Sequence, residues 1–272
     1  MKRLVCLSLI LVLALSLAAC GGGDAETAER TKLVVGVTPV PHAEILEVVK
    51  GVLAEQDIDL EIKEFTDYVQ PNLALDNGDL DANYFQHQPY LDSFNEEYEL
   101  DLTYTVGVHF EPLGLYSRTI SSLDEIQDGA RIAVPNDTTN EARALLLLQD
   151  NGLFTLKEGV GLEATKLDIV DNPKNIEVVE LEAAQIPVSL DDVDAAVING
   201  NFAIDAGLNV EKDALVSEAK DSLAADTFAN ILAVRKGDES RPEIEALSEA
   251  LTSPEVKEFI EQEYEGAVVP VF

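Results

Sequence analysis

Leu33-Val34-Val35-Gly36-Val37, the run from Ile45 to Leu53, and Ile58 to Lys63 together decide the fold class. The first is a short apolar stretch closed by Thr38-Pro39-Val40-Pro41, the pattern of a buried strand. Ile45, Leu46, Val49, Val52 and Leu53 then recur at helical spacing up to about Glu55. Ile58, Leu60 and Ile62 alternate with Asp59, Glu61 and Lys63, which predicts a second strand. Strand, helix and strand in this order form a βαβ unit, and such a unit implies a parallel sheet.

The same grammar continues toward the C-terminus. Asn77-Gly78-Asp79 is a turn before the segment Leu80 to Phe85, and Pro89 to Tyr98 reads as a helix. Leu102 to His109 alternates like a strand, and Arg131 to Val134 is another, followed by a strong helix from Glu141 to Gln149. Ile176 to Leu181, Ala195 to Ile198 and Ile231 to Val234 are further short strands, with two helices nearer the C-terminus. No period of about 20–50 residues repeats, which argues against a solenoid. The predicted class is α/β throughout, arranged in two lobes.

The N-terminus carries an address. Lys2 and Arg3 precede an apolar run from Leu4 to Ala19, sixteen residues long, where a spanning helix needs roughly 20. That fits a secretory signal. Leu17 spoils the small-residue pattern of an ordinary signal peptidase, whereas Leu17-Ala18-Ala19-Cys20 resembles a lipobox, with cleavage before Cys20 and acylation of its thiol. The expected organisation is a signal over residues 1–19 and a flexible tether over 20–31, rich in Gly, Ala, Glu and Thr. Cys6 leaves with the signal, so the mature chain has no second cysteine for an internal disulfide. The expected location is the cell envelope, on the extracytoplasmic face of a membrane, held by lipid on Cys20.

The chain has 272 residues and a formal charge of −34, and it loses two positive charges with Lys2 and Arg3. So acidic a body repels nucleic acid and anionic head groups, which disfavours a nucleic-acid partner. Acidity of this kind is ordinarily a solvated surface and identifies no ligand.

Enzymatic signatures are missing: there is no Walker A loop, no GxGxxG after a strand, no HExxH, CxxC or GxSxG, and Gly159-Val160-Gly161 is too short to mean a nucleotide site. The expectation is a non-enzyme without cofactor or resident metal. Two clusters stand out instead. Tyr84-Phe85-Gln86-His87-Gln88-Pro89-Tyr90 gathers three aromatics and a histidine, a cluster that taken alone is more often core packing than the wall of a site. Pro135-Asn136-Asp137-Thr138-Thr139-Asn140 supplies helix-capping residues, and the helix start it marks, with Arg143 in its first turn, suits a carboxylate.

Six blocks carry a resemblance: Val35 to Glu44, Tyr84 to Tyr90, Val108 to Pro112, Asn172-Pro173-Lys174, Leu181 to Gln185 and Ala196 to Asn201. Their residues and order resemble the methionine-binding lipoprotein (MetQ/NlpA) family, the receptors of methionine ABC importers, from about Leu33 to Phe272. The resemblance implies a two-lobed, type II periplasmic-binding-protein fold with the ligand cleft between lobes. Lobe 1 would comprise residues 32–111 and 230–272, and lobe 2 residues 112–229. It also implies a side-chain pocket of Tyr68, Phe85, His87 and Tyr90, and a head-group site of Arg143, Asn199 and Asn230. The partners implied are methionine (L, with the D isomer and derivatives left open) and the permease and ATPase subunits of an importer. Thr138 and Ala142 stand where the family often has proline and glycine, which predicts a slightly altered helix start and an intact site.

These residue types fit the chemistry. A zwitterion buried by its carboxylate needs a fixed cation with several donors, which Arg143 offers. Asn199 and Asn230 can each donate and accept, so either end of the head group could meet either residue. Flat polarizable walls suit a thioether, at ~0.3–1.5 kcal/mol per sulfur–aromatic contact. On this reading Arg143→Ala abolishes binding with little loss of fold. The competing reading is a zinc-type metal receptor using His42, His87 and His109.

Overall fold

The βαβ unit forms where the periodicity places it. Strands Thr31–Val37 and Ile58–Glu64 pair in parallel, Thr31 opposite Ile58 and Val37 opposite Glu64, and the helix Glu44–Ala54 crosses between them. Leu33, Val35 and Val37 are fully buried, as are Ile45, Leu46 and Leu53 on the inner helix face. Each such side chain contributes about 1.5–3 kcal/mol on burial. Val52, which the spacing groups with that face, instead points to solvent and is 46% exposed. The computed structural model describes residues 30–220 and 223–272. Cys20, the signal over 1–19 and the tether as far as residue 29 lie outside the described residues. Among the described residues no helix is long and apolar enough to cross a membrane.

Two main sheets divide the strands. In the first, Ala82–His87 lies parallel to Thr31–Val37, and Asn230–Arg235 inserts antiparallel between Ala82–His87 and Leu102–Phe110. Val269–Pro270 closes that edge, giving a sheet of six strands. The second sheet has five strands: Arg131–Pro135 lies parallel to both Glu177–Leu181 and Ala195–Ile198, and Gly114–Tyr116 and Val216–Ser217 complete it antiparallel. A two-stranded ribbon, Thr155–Leu156 with Ile169–Asp171, stands apart. The strands of two or three residues had no legible alternation.

Each sheet has its own core. Helices Glu44–Ala54, Pro242–Leu251 and Pro254–Glu263 cover the first, with Leu247, Leu251, Val256 and Ile260 buried against its strands. Helix Thr138–Asp150 packs Leu145 and Leu148 on the second. It starts at Thr138, three residues before the sequence-predicted Glu141, because Asp137 is the N-cap and accepts from the Asn140 backbone N–H. Thr138, where the resemblance leads one to expect proline, is the first residue of that helix.

The chain crosses between sheets at two places. Strand Leu102–Phe110 runs through Glu111 to Leu113 into Gly114–Tyr116, and the chain returns from Val216–Ser217 to Asn230–Arg235. Glu111 and Asn230 thus sit where the first sheet gives way to the second.

Candidate functional site

Strand ends from both sheets meet at one small cavity. Asn230 opens its strand opposite His87 on one side and His109 on the other, so the three residues form a row across the first sheet. From the second sheet, Asn199 follows strand Ala195–Ile198, and Asn140 and Arg143 lie in the first two turns of the helix after Arg131–Pro135. Ligand sites in α/β sheets collect at such carboxyl ends of parallel strands.

All seven residues singled out from the sequence line this cavity: Tyr68, Phe85, His87, Tyr90, Arg143, Asn199 and Asn230. Gln86, Glu111, Asn140, Gly200 and Asn201 line it as well. The aromatic wall is continuous, with the Tyr68 ring 5.7 Å from Phe85, 5.8 Å from Tyr90 and 4.9 Å from Phe202. The Tyr84 to Tyr90 cluster splits between roles. Tyr84 is fully buried in the core and hydrogen-bonds His109 Nδ1, whereas Phe85, His87 and Tyr90 face the cavity. The space it leaves for a solute is about 20 Å³, roughly that of one water.

Hydrogen bonds hold the walls together across the two sheets. The Tyr68 hydroxyl donates to Asn201 Oδ1 at 2.5 Å, and His87 Nε2 donates to Asn140 Oδ1 at 3.1 Å. His87 Nδ1 accepts from the Tyr90 backbone N–H, capping the helix Gln88–Tyr98. Burial, assisted by the nearby Arg143 charge, lowers the His87 pKa to about 3, so the ring is neutral.

Arg143 carries the positive charge. Its Nε and Nη2 donate to Glu218 at 2.8 and 2.6 Å, and Nη2 also donates to the Glu111 carbonyl at 2.9 Å. The guanidinium lies 4.2 Å from the centre of the Phe228 ring, a cation–π contact. Nη1 has no hydrogen bond among the described residues and is the nitrogen left for a ligand. Asn199 donates its amide to Asn140 Oδ1 at 3.0 Å, and its own Oδ1 is buried with no partner. An unmatched buried acceptor costs about 1–3 kcal/mol, so this atom is poised for a donor.

Behind Asn230 lies a buried network. Its Oδ1 accepts from His42 Nε2 at 3.0 Å, His42 Nδ1 bonds the Thr38 hydroxyl at 2.7 Å, and Glu111 Oε1 accepts from His109 Nε2 at 2.7 Å. Burial lowers His42 to about 4 and His109 to about 3, and it raises the Glu111 carboxyl above the usual carboxylate range. The metal reading required three histidines to meet. Instead His87 stays with Asn140 and Tyr90, and His42 and His109 gather around Glu111, with one ligand atom from each of the three within 4.8 Å of the others. Each of the six ring nitrogens is already in a hydrogen bond.

Sequence reasoning passed over Glu111, Asn140 and Asn201 as ligand-facing, although all three lie inside stretches it had marked. Glu218 gave no signal at all, being one acid among 52 and 75 positions from Arg143.

A closed polar and aromatic cavity, walled by strand ends of two α/β halves, defines a solute-binding protein of the two-lobed, type II periplasmic-binding-protein class. The chain belongs to the NlpA lipoprotein family, whose model matches residues 33–272. It is 41% identical over 275 aligned residues to the methionine-binding lipoprotein MetQ of Bacillus subtilis (strain 168), covering 100% of this chain and 99% of that protein. The membrane lipoprotein TpN32 of Treponema pallidum (strain Nichols) is 41% identical over 260 residues, 96% of this chain and 94% of the relative. Among solved structures, a nutrient-binding protein from Burkholderia cenocepacia bound to methionine superposes with a TM-score of 0.84 at 46% identity, over 88% of this chain and 100% of that one.

Proposed function

We propose that this protein is a lipid-anchored receptor that captures methionine and delivers it to an ABC importer, without catalysing a reaction. The observation that carries the reading is the chemical match of one cavity to one ligand. Arg143 Nη1 and the Asn230 amide offer donors that suit a carboxylate, the orphaned Asn199 Oδ1 offers an acceptor that suits an ammonium, and the rings of Tyr68, Phe85 and Tyr90 form a wall that suits a thioether. The relatives' names and the methionine-bound neighbour support the same ligand. Four or five charge-assisted hydrogen bonds at about 1.5–3 kcal/mol each, less the cost of association, reach the ~8 kcal/mol of a micromolar site.

Residues 32–111 with 230–272 and residues 112–229 act as the two lobes, hinged near Glu111 and Asn230. Their opening admits the ligand, and their closure reports cargo to the permease and ATPase subunits. Lipid on Cys20 keeps the receptor on the extracytoplasmic face, beside the importer.

The test is calorimetry and thermal shift of the purified protein against the common amino acids and zinc. Methionine is expected to bind with micromolar or tighter affinity, with leucine-like ligands weaker by about 1–3 kcal/mol. Tight zinc binding without methionine binding would overturn the reading.

A further inference from the structure

We propose that Asp137 and His42 are positioning residues that fix opposite amide polarity at Asn199 and Asn230, so that the site accepts an amino acid in one head-group orientation. The proposal rests on the amino-acid reading of the same cavity and deepens it.

An asparagine amide offers an oxygen that accepts and a nitrogen that donates, and what grips one end decides which end faces a ligand. The first relay begins at Asp137, a carboxylate with no proton to give when ionised. It accepts from the Asn140 backbone N–H at 3.0 Å, and its two oxygens accept from Asn140 Nδ2 at 2.9 and 3.1 Å. The Asn140 amino group must therefore face Asp137, which turns Asn140 Oδ1 the other way. There it accepts from Asn199 Nδ2 at 3.0 Å and from His87 Nε2 at 3.1 Å. His87 cannot reverse this, because its Nδ1 takes the Tyr90 backbone proton and so leaves the ring's own proton on Nε2. Flipping Asn140 would set oxygen against carboxylate and an amino group against two donors. With its amino group turned to Asn140, Asn199 presents Oδ1 to the cavity, and that is the buried oxygen without a partner.

The second relay runs the opposite way. His42 Nε2 sits 3.0 Å from Asn230 Oδ1 and 3.5 Å from Glu111 Oε1, while Nδ1 faces the Thr38 hydroxyl at 2.7 Å. A neutral imidazole carries one proton. On Nε2 it serves both Asn230 and the Glu111 carboxylate, and the Thr38 hydroxyl donates to Nδ1. On Nδ1 it would leave a lone pair aimed at Glu111. The first arrangement holds, so Asn230 turns its oxygen to His42 and its amino group to the cavity.

One asparagine thus turns its acceptor to the cavity and the other its donors. An ammonium can only donate and a carboxylate can only accept, so the ammonium belongs at Asn199 and the carboxylate at Asn230, near Arg143 Nη1. Exchanging them would bring like polarity together at both ends.

The test is calorimetry with three ligands: L-methionine, 4-(methylthio)butanoate, which lacks the ammonium, and 3-(methylthio)propylamine, which lacks the carboxylate. Asp137→Asn gives Asn140 a donor to turn toward, and so frees Asn199 to flip. It is expected to weaken L-methionine at least tenfold and 4-(methylthio)butanoate less than twofold. His42→Phe removes the Nε2 donor but keeps a ring beside Tyr84, 4.7 Å away. It should weaken L-methionine and 4-(methylthio)butanoate at least tenfold and leave 3-(methylthio)propylamine within twofold. Equal weakening of all three ligands by either variant, or full L-methionine affinity in both, would overturn the relays. Should a variant fail to fold, the L-methionine complex of the unaltered protein decides, since a carboxylate nearest Asn199 overturns the proposal and one nearest Asn230 supports it. No L-methionine binding by the unaltered protein would overturn the methionine reading itself.

Discussion

Arg143 and Glu218 are joined at two points, Nε to Oε1 at 2.8 Å and Nη2 to Oε2 at 2.6 Å, with side chains only 4% and 10% exposed. The sequence alone made Arg143 a free cation whose loss would spare the fold. The pair changes that expectation. Removing one member of a buried ion pair leaves the other charge uncompensated, at a cost of about 3–5 kcal/mol. Arg143→Ala is therefore expected to abolish methionine binding and also to lower stability by that order. Arg143→Met with Glu218→Leu should recover most of the stability and none of the binding. Chemical denaturation beside calorimetry checks both, and an Arg143→Ala protein as stable as the original would show that the pair is not buried in solution.

How far the fold was readable follows from where its information lies. The βαβ unit was legible because Ile58, Leu60 and Ile62 state their period within a few residues. The site was less so. Every residue of strand Ala82–His87 is buried, so its polar and apolar members do not reveal which face meets a ligand. Phe85 and His87 entered through the family resemblance, and periodicity could not have supplied them. Glu218 shows a second limit, since a long-range partner in an acid-rich chain has no local signature.

Tyr68 tests the walls. Its hydroxyl bonds Asn201 across 133 positions of sequence, and its ring completes the aromatic wall. Tyr68→Phe keeps the ring and loses one hydrogen bond, worth about 0.5–1.5 kcal/mol. Methionine should leave roughly three- to tenfold faster, with association little changed. Surface plasmon resonance reads both rates, and a slowed association with unchanged dissociation would refute the assignment.

Gly200 is held by a close approach. A Cβ there would lie 2.5 Å from Glu111 Cβ and 2.8 Å from Glu111 Oε2. Neither can move freely, because Glu111 is buried and bonded to His109. Gly200→Ala should cost about 1–3 kcal/mol of stability by overpacking and displace Glu111 from the site. Thermal unfolding and a methionine titration together measure this. Unchanged values in both would mean that the helix Gly200–Asp205 shifts without consequence.

On the proposed anchoring, Cys20 governs location alone. Secreting residues 21–272 behind an ordinary cleavable signal removes both the apolar run Leu4 to Ala19 and the acylated thiol, so the protein should pass from the membrane pellet to the soluble fraction while its methionine affinity stays within twofold. Two or more acyl chains are needed for stable anchoring, so loss of the single attachment residue is expected to release the protein fully. A variant that remained in the pellet would place the anchor elsewhere.

The three histidines set an acid limit on the fold. His42 titrates at about 4 in the folded protein, and His87 and His109 at about 3, all lowered chiefly by burial from 6.5. Below about pH 6.5 the unfolded chain takes up protons that the native protein refuses. Each histidine then costs about 1.4 kcal/mol of stability per unit fall in pH, until its folded value is reached. Glu111 and Asp137, raised by burial, work in the opposite sense, because they take protons in the native state before the unfolded one does. Replacing His87 by Asn should therefore flatten the fall of unfolding free energy between about pH 6 and about pH 5 by ~1.4 kcal/mol per pH unit, relative to the original protein. In the native protein, the imidazole carbon resonances should stay flat from about pH 8 to about pH 5. A ring that titrates near 6.5 in the folded state would show that its burial, and with it the proton placement at the site, is wrong.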